Sequence, residues 1–292
     1  MSVAFFSAEP FSRNKAIAFV FIAATLWSTN GLFIKIIDLG PLTIVGVRSA
    51  IAAVMMIAVY NKNLRFNFSF PQVAGAIAYS ATIILFVTAT KMTTAANVVF
   101  LHYTTPVFTA LLGAWLLKES VSRFDWLIMS IVMGGIALFF LDEFTVGGLW
   151  GNIMAIISAV TFAFMILFLR LQKSGSTLET IIIGNLITAV VCSYSIIQDP
   201  PTAIDWLPLL YMGTIQIGLS FIMYCTAIKY LAALDAVLIQ TIEPLLNPIW
   251  VFLVIGETPG MWALIGGGVV LCTVTARDVY QSHRNRKTSQ VA

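Results

Sequence analysis

Long runs of apolar residues alternate along the chain with short groups of Pro, Gly, Asn and charged residues. An α-helix needs about 20 consecutive apolar residues to cross a bilayer, and most of these runs have that length. The connections between runs are short, so none can form a separate domain. The pattern predicts an all-α integral membrane protein. The ten predicted transmembrane helices are Ala16–Ile37, Pro41–Tyr60, Val73–Thr90, Ala95–Leu117, Trp126–Leu141, Leu149–Leu171, Leu178–Ile197, Leu207–Lys229, Ala236–Ile255 and Met261–Val279.

Composition agrees with this pattern, because 59% of the 292 residues are hydrophobic and only 10% are charged. A soluble domain would carry about 25% charged residues. The first apolar run is too long for a removable signal peptide and lacks a small-residue cleavage site, so we expect it to remain. Cys192, Cys225 and Cys272 lie in apolar runs without metal or disulfide spacing, and we expect no metal and no cofactor.

Lys and Arg residues predict the orientation of the chain. With a cytoplasmic N-terminus, 13 of the 16 Lys and Arg residues fall on the cytoplasmic side. Lys35 and Lys91 fall outside, and Arg48 falls within the second helix. Both termini are therefore expected in the cytoplasm, with the protein in the plasma membrane, the inner membrane of a bacterium. The net charge of +3 comes from residues beside the helices, so we expect no nucleic acid partner.

A shift of 138 residues aligns part of the chain with itself. It pairs the third and fourth helices with the eighth and ninth, matching Pro106 with Pro244 and Glu119 with Glu257. A spacing of five helices turns the second copy upside down in the membrane. This predicts inverted five-helix repeats at 1–143 and 144–292, the second ending in a short basic cytoplasmic tail. Inverted repeats are typical of secondary transporters, with the substrate site near the midplane.

The chain also resembles a known family. Trp27, the spacing from Pro41 to Arg48, and the segment AANVVFLHYTTPVFTALLGAWLLKES are similar to EamA-type carriers of the drug/metabolite transporter superfamily. The resemblance implies a 5+5 fold and alternating-access transport of a small metabolite, often by efflux. It leaves the substrate open, because the superfamily carries amino acids, quaternary amines, nucleotide sugars and sugar phosphates.

Glu243 is the first candidate for the substrate site, because it lies inside the ninth apolar run. A carboxylate at membrane depth costs about 2.5–3.5 kcal/mol even on the mildest scale, so it normally faces protein or water. It could bind a cationic ammonium, take up a proton during the transport cycle, or serve as a structural partner of an Asn or Arg.

Three prolines accompany this carboxylate as predicted helix-disturbing residues. Pro244 leaves the carbonyl of Gln240 without its helical partner, Pro106 does the same to His102, and Pro248 would free the carbonyl of Pro244. Such backbone can line a cavity or simply kink the helix. His102 could bind substrate, share a proton with Glu243, or cap the freed carbonyls.

Polar and aromatic residues of other helices complete the prediction. Trp27 and Asn30 place polar groups in the middle of the apolar first helix. Arg48 is the only basic residue at such depth, where it could help to bind an anionic group, snorkel to the membrane surface or pair with an acid. So few charges argue against a multiply anionic substrate. The predicted substrate or proton site comprises Glu243, His102, Gln240, Asn247, Trp27, Asn30, Tyr103, Tyr79 and Tyr224.

Two features are expected to be structural. The glycine groups Gly134-Gly135, Gly147-Gly148 and Gly266-Gly267-Gly268 favour close helix packing. Glu119 and Glu257, at helix ends, could pair with nearby basic groups as gates.

The preferred function is a secondary active transporter of an amine or amino acid-like metabolite, acting by efflux and coupled to protons through Glu243. Uptake of a similar amine or a quaternary ammonium compound is the alternative, because nothing in the sequence fixes the direction. A channel or a membrane-embedded enzyme belongs to other classes, and no metal or phosphate-loop motif favours an enzyme. The expected partners are a small molecule, the lipid bilayer and protons, and the protein could be a monomer or a homodimer.

Overall fold

The computed structural model describes residues 12–60, 64, 66–116, 123–138, 141, 146–172, 177–227, 230–231 and 239–289. The regular elements of this part of the chain are all helical. Six helical stretches are long and apolar enough to cross a membrane: Arg13–Ile36, Pro41–Tyr60, Phe70–Met92, Ala95–Leu116, Gly148–Leu171 and Trp206–Ala227. Four shorter apolar helices span Trp126–Leu138, Thr177–Val191, Ile242–Ile255 and Met261–Arg277. Together they define a multi-pass membrane protein. Six of the ten predicted spans coincide with a stretch long enough to cross a membrane, and the other four with helices of 10–17 residues.

The individual helices are numbered in chain order. They are α1 (Arg13–Ser28), α2 (Asn30–Ile36), α3 (Pro41–Tyr60), α4 (Phe70–Met92), α5 (Ala95–His102), α6 (Thr105–Leu116), α7 (Arg123–Leu138), α8 (Val146–Leu171), α9 (Thr177–Val191), α10 (Ser193–Gln198), α11 (Trp206–Leu210), a π-helical segment (Tyr211–Leu219), α12 (Ser220–Ala227), α13 (Ile242–Ile255) and α14 (Met261–Ser289).

Several helix ends follow from capping residues. The hydroxyl of Ser12 accepts a hydrogen bond from the Lys15 amide at 3.3 Å and begins α1. The hydroxyl of Thr94 accepts one from the Asn97 amide at 3.2 Å and begins α5. These side chains satisfy amides that have no partner within the helix. Gly256 adopts φ = 76° after α13, a left-handed conformation that glycine adopts without steric cost.

Four of the predicted helices are interrupted in the structure. The first is divided at Thr29, the fourth at Tyr103–Thr104, the seventh at Cys192 and the ninth at Thr241. At Thr29 the hydroxyl donates to the carbonyl of Leu26 at 2.7 Å, and the hydroxyl of Thr104 donates to Leu101 at 2.6 Å. Such side-chain bonds compete with the helical ladder. Because hydropathy does not register this competition, the predicted continuity was wrong at Thr29 and Cys192, whereas loosening of the fourth and ninth helices beside Pro106 and Pro244 was predicted.

The two prolines of α13 act differently. A turn at Thr241 precedes α13, and Pro244 is the third residue of that helix, where its missing amide is tolerated. Pro248, predicted to disturb the helix, lies inside α13 without interrupting it. Its missing amide removes one backbone hydrogen bond, while the rest of the helix continues to Ile255.

The last helix is longer than predicted, because α14 continues to Ser289 rather than ending at Val279. Among the added residues, Gln281, Arg284, Arg286 and Lys287 have good helix propensity. The predicted basic tail is therefore largely helical. Glu119, predicted together with Glu257 to pair with basic groups at helix ends, lies outside the described residues.

Packing between the first five and last five apolar helices comes largely in matched pairs. The third (α4) packs on the sixth (α8), and the eighth (α12) packs on the first (α1). The third also contacts the seventh (α9). In the same way, the eighth contacts the second (α3) through its π-helical segment. The second and seventh, fourth and ninth, and fifth and tenth contact each other. If each helix number is shifted by five, every contact between two helices becomes another contact of the same set, or itself. Two related five-helix units produce this pattern.

Candidate functional site

A cavity of about 1130 Å³ lies among these helices. It collects residues that are far apart in sequence, from the first helix to the last. Asn247, Pro244 and Pro248 are not part of its wall. The predicted residues that line it are Trp27, Asn30, Tyr79, His102, Tyr103, Pro106, Tyr224, Gln240 and Glu243.

The two interrupted, proline-bearing helices meet at Tyr103. Its hydroxyl donates to the freed backbone carbonyl of Gln240 at 2.8 Å and lies 3.3 Å from the Oε2 atom of Glu243. Tyr103 itself stands in the turn that separates α5 from α6. The break in one helix is therefore satisfied by a side chain from the break in the other.

The protonation of Glu243 changes how this junction is bonded. A phenol has one proton to donate, so an ionised Glu243 and the Gln240 carbonyl compete for it. A protonated Glu243 can instead donate to the oxygen of Tyr103, while Tyr103 donates to Gln240. One proton on Glu243 thus converts a shared hydrogen bond into a chain of two.

His102 occupies a different part of the wall. Its Nδ1 atom lies 3.0 Å from the hydroxyl of Ser158, and its ring packs near Phe86 and Phe162. In the described structure it forms no hydrogen bond with Glu243, so the predicted sharing of a proton is not observed. His102 also caps neither freed carbonyl: the hydroxyl of Thr105 donates to the His102 carbonyl at 2.6 Å. Consecutive positions 102 and 103 point in different directions from the helix.

An aromatic group forms another section of the wall. The ring of Trp27 lies 5.0 Å from Phe221 and 5.3 Å from Tyr224, and Tyr79 lies 6.0 Å from Phe221 in an edge-on arrangement. These are ordinary separations for interacting aromatic rings. Sequence reasoning included three of these rings and missed Phe221, because one Phe among 21 carries no signal of its position.

Arg48 also reaches the cavity, from the middle of α3. Only 2% of its surface is exposed, and its Nη1 atom donates to Asn30 Oδ1 at 2.6 Å. Asn30, predicted as a ligand, therefore also orients this guanidinium. Sequence reasoning noted the depth of Arg48 but did not include it in the site.

Asn247 lies elsewhere, fully buried within α13. A side chain added at Gly31 would collide with its amide oxygen, so Asn247 packs against α2. Neither polar atom of its side chain has a hydrogen-bond partner. The structure thus separates Asn247 from the other predicted site residues: it lies one turn beyond Glu243 on α13, where α2 covers it.

The cavity extends toward one end of the helix bundle. Its wall includes Tyr60 at the end of α3, Thr177 at the start of α9, and Tyr230 after α12. Residues at the opposite helix ends do not line it in the described part of the chain.

Those opposite ends are joined by a cluster that we name the Lys35 latch, formed by Lys35, Glu257, Thr93 and Ala95. The Lys35 ammonium lies 2.7 Å from Glu257 and donates to the Thr93 carbonyl at 2.8 Å. The other oxygen of Glu257 accepts from the Ala95 amide at 2.8 Å. The latch connects the ends of α2, α4 and α13 with the start of α5.

A second contact closes the same end. The amide of Gly40 donates to the Asp199 carboxylate at 2.7 Å, and Thr43 donates to the Ser195 carbonyl at 3.1 Å. These bonds connect α3 with α10. The cavity is therefore bounded at one end of the bundle by polar ties between helices of both halves.

A multi-pass helical protein with a central cavity and two matched sets of helices has the architecture of a membrane carrier. The sequence model of the EamA-like transporter family matches residues 14–141 and again residues 149–276. This chain belongs to the EamA-like transporter family, whose members are transporters, and it contains two copies of the family's repeat.

Solved structures share the fold. One chain, titled only "Crystal structure of protein", is 20% identical with a TM-score of 0.61, and the similarity covers 90% of this chain and 98% of that one. No curated protein matches the sequence.

Proposed function

We propose that this protein is a secondary active transporter that exports a small metabolite bearing an amine, by alternating access between inverted repeats at 1–143 and 144–292. The observation that carries the proposal is Glu243: a carboxylate on the wall of a large cavity, bonded to Tyr103 where the two broken helices meet. A carboxylate in this position attracts an ammonium group and can also carry a proton.

Proton coupling follows from the same residue. One carboxylate cannot hold both a proton and an ammonium ion at full strength, so binding of one promotes release of the other. Exchange of an outgoing amine for an incoming proton at Glu243 would use the proton gradient for export.

The direction in which the cavity extends supports alternating access. With both termini in the cytoplasm, as the distribution of Lys and Arg predicts, the end bearing Tyr60 and Thr177 faces the cytoplasm, and the Lys35 latch lies outside. The structure then corresponds to an inward-facing state, ready to accept cytoplasmic substrate.

The proposal is tested by transport of labelled amines and amino acids in proteoliposomes. We expect unlabelled substrate on the far side to accelerate uptake of label, which a channel would not show. We expect Glu243→Gln to abolish proton-driven transport while the protein remains folded by thermal unfolding. Glu179→Gln, at a second acidic residue of the cavity wall, is the matched control. Wild-type rates for Glu243→Gln would contradict the assignment of Glu243.

Uptake of a quaternary ammonium compound is a second candidate, supported by the aromatic group around Trp27. Aromatic faces attract cations that cannot form hydrogen bonds. A quaternary ammonium group has no N–H to donate to Glu243 and would depend mainly on the aromatic faces, so its transport should persist in Glu243→Gln and fall in Trp27→Leu. The opposite pattern favours the primary amine.

A further inference from the structure

Arg48 carries a buried positive charge that no carboxylate of the described structure neutralises. It lies seven residues into α3, roughly 10 Å along the helix at 1.5 Å per residue. Its exposed fraction is 2%, so water screens its charge poorly. Burying a cation without an opposite charge is costly, and buried charges in proteins are normally paired. Within the described residues Glu243 is bonded to Tyr103 rather than to Arg48.

The guanidinium of Arg48 also keeps most of its hydrogen-bonding capacity. A guanidinium has five N–H donors. In the described chain Nη1 donates to Asn30 Oδ1 at 2.6 Å, whereas the buried Nε atom has no partner. Because Arg48 lines the central cavity, a ligand bound there can accept from the remaining donors.

The break in the first helix supplies a further donor to the same part of the wall. Trp27 lies three residues, about one helical turn, before Asn30, and both residues line the cavity. The indole Nε1 of Trp27 is buried without a hydrogen-bond partner in the described structure. Native proteins satisfy nearly all such atoms. A ligand that accepts hydrogen bonds from Arg48 and Trp27 would satisfy both.

The charges of the wall restrict this ligand to a small anion with one negative charge. Arg48 is the only Lys or Arg that lines the cavity in the described part of the chain, so a dianion would keep an uncompensated charge. Glu179 and Glu243 line the same cavity and would repel it. The unpartnered acceptor of this region, Gln216 Oε1, can bond a water molecule that accompanies the anion.

We propose that the cavity holds a second ligand, a small monovalent anion such as chloride, bound by Arg48 beside the break at Thr29, and that this anion is needed for tight binding of the amine. An amine and Arg48 are both cations in one poorly screened cavity, so neutralising Arg48 removes a repulsion. By linkage, the amine must tighten binding of the anion by the same factor. The coupling rests on the proposed function, whereas the anion site does not.

Thermal unfolding of the full chain in detergent tests the anion site. Sodium chloride replaces sodium gluconate, whose anion is larger and strongly hydrated, at constant ionic strength and without any amine. We expect the unfolding midpoint of the wild type to rise with chloride concentration and then to saturate, because a ligand that binds the native state stabilises it.

Asn30→Asp locates the site. It replaces the amide group 2.6 Å from Arg48 with a carboxylate of nearly the same shape, so the protein itself would neutralise the guanidinium. We expect the unfolding midpoint of this variant not to depend on chloride. Arg48→Gln should lose the response as well, and Arg48→Lys should retain part of it. Arg123→Gln, which removes an exposed arginine, should respond as the wild type does.

Calorimetric titration with phenethylamine tests the coupling. We expect the wild type to bind this amine about tenfold more tightly in chloride than in gluconate, within the usual range for coupling between two sites. Asn30→Asp should bind it equally tightly in both salts.

Equal midpoints of the wild type in chloride and gluconate would overturn the anion site, and this comparison needs no variant to fold. A full chloride response in both Asn30→Asp and Arg48→Gln would also overturn it, because it would show a general effect of salt. Phenethylamine binding that does not depend on chloride would overturn the coupling. In each case transport of an amine would still support the proposed function. Absence of amine transport would contradict that function and would leave the unfolding test of the anion site unaffected.

Discussion

At the scale of single residues, the hydroxyl of Tyr103 joins the two parts of the molecule that are least regular. It bonds a backbone carbonyl freed by a proline and touches the one carboxylate of α13. A carbonyl deprived of its helical partner within a membrane must find a donor nearby. Tyr103 therefore supports the break in the ninth helix as well as lining the cavity.

Replacing Tyr103 with Phe tests this support. We expect the change to cost about 1 kcal/mol of stability, the usual net contribution of one hydrogen bond. Transport should also slow, because the break would lose its fixed geometry. Thermal unfolding in detergent and proteoliposome uptake provide the two measurements. Tyr194→Phe, at an exposed tyrosine, is the control, and equal behaviour of the two variants would argue against the role of Tyr103.

Sequence reasoning named many of the residues that line this cavity but did not predict their bonds. Glu243 and Gln240 were recognisable because a carboxylate and a proline are unusual in an apolar run. Their partner Tyr103 was named as one of several aromatic residues, and only the register between helices selects it. Asn247 shows that an unusual polar residue in an apolar run does not by itself predict a place on the cavity wall. It is as unusual in sequence as Glu243, yet it packs against α2 outside that wall.

At the scale of helices, α14 passes close to α5 because of one glycine. A side chain at Gly267 would overlap the ring of Phe100, whereas one at the neighbouring Gly268 would meet nothing within 4 Å. The glycine run was predicted to serve close packing. The structure shows that neighbouring glycines of the run are not equivalent.

Leucine at each position makes a matched pair. Gly267→Leu should lower the free energy of unfolding by about 1–3 kcal/mol, the typical cost of overpacking. Gly268→Leu should leave stability almost unchanged, because its side chain would enter open space. Thermal midpoints in detergent measure both. A Gly268→Leu variant as unstable as Gly267→Leu would contradict this packing.

Hydropathy predicted where helices lie better than where they stop being regular. The bounds of α3 agree with the prediction at both ends, since Pro41 begins it and the apolar run ends at Tyr60. The interruptions at Thr29 and Cys192 escaped prediction. The break at Thr29 accompanies a local hydrogen bond that changes no average apolarity. The break at Cys192 and the π-helical segment likewise lie within apolar runs that hydropathy treats as continuous.

At the scale of the whole molecule, Cys225 can report the side of the membrane to which the cavity opens, because Cys225 lines the cavity. The proposed inward-facing state predicts the cytoplasmic side. In a Cys192→Ala, Cys272→Ala background, we expect a charged thiol reagent to label Cys225 from the cytoplasmic side. Bound substrate should slow the reaction. Labelling from the outside alone would reverse the proposed orientation.

The same reporter tests the Lys35 latch. Lys35→Met removes the cation that holds Glu257 and the Thr93 carbonyl, so the closed end should open more often. We expect labelling of Cys225 from the outside to rise several-fold. Lys15→Met, at the other end of the first helix, should leave labelling unchanged. Equal labelling of the two variants would show that the latch does not keep this end closed.

Because Glu243 is a single carboxylate, the proposed exchange moves one ammonium ion outward for each proton that moves inward, and no net charge crosses the membrane. The membrane voltage acts only on charge that moves, at about 2.3 kcal/mol per elementary charge per 100 mV. One-for-one exchange should therefore be indifferent to voltage. A current that accompanies transport would show that more than one proton returns for each amine, so electrical recording gives the coupling stoichiometry directly.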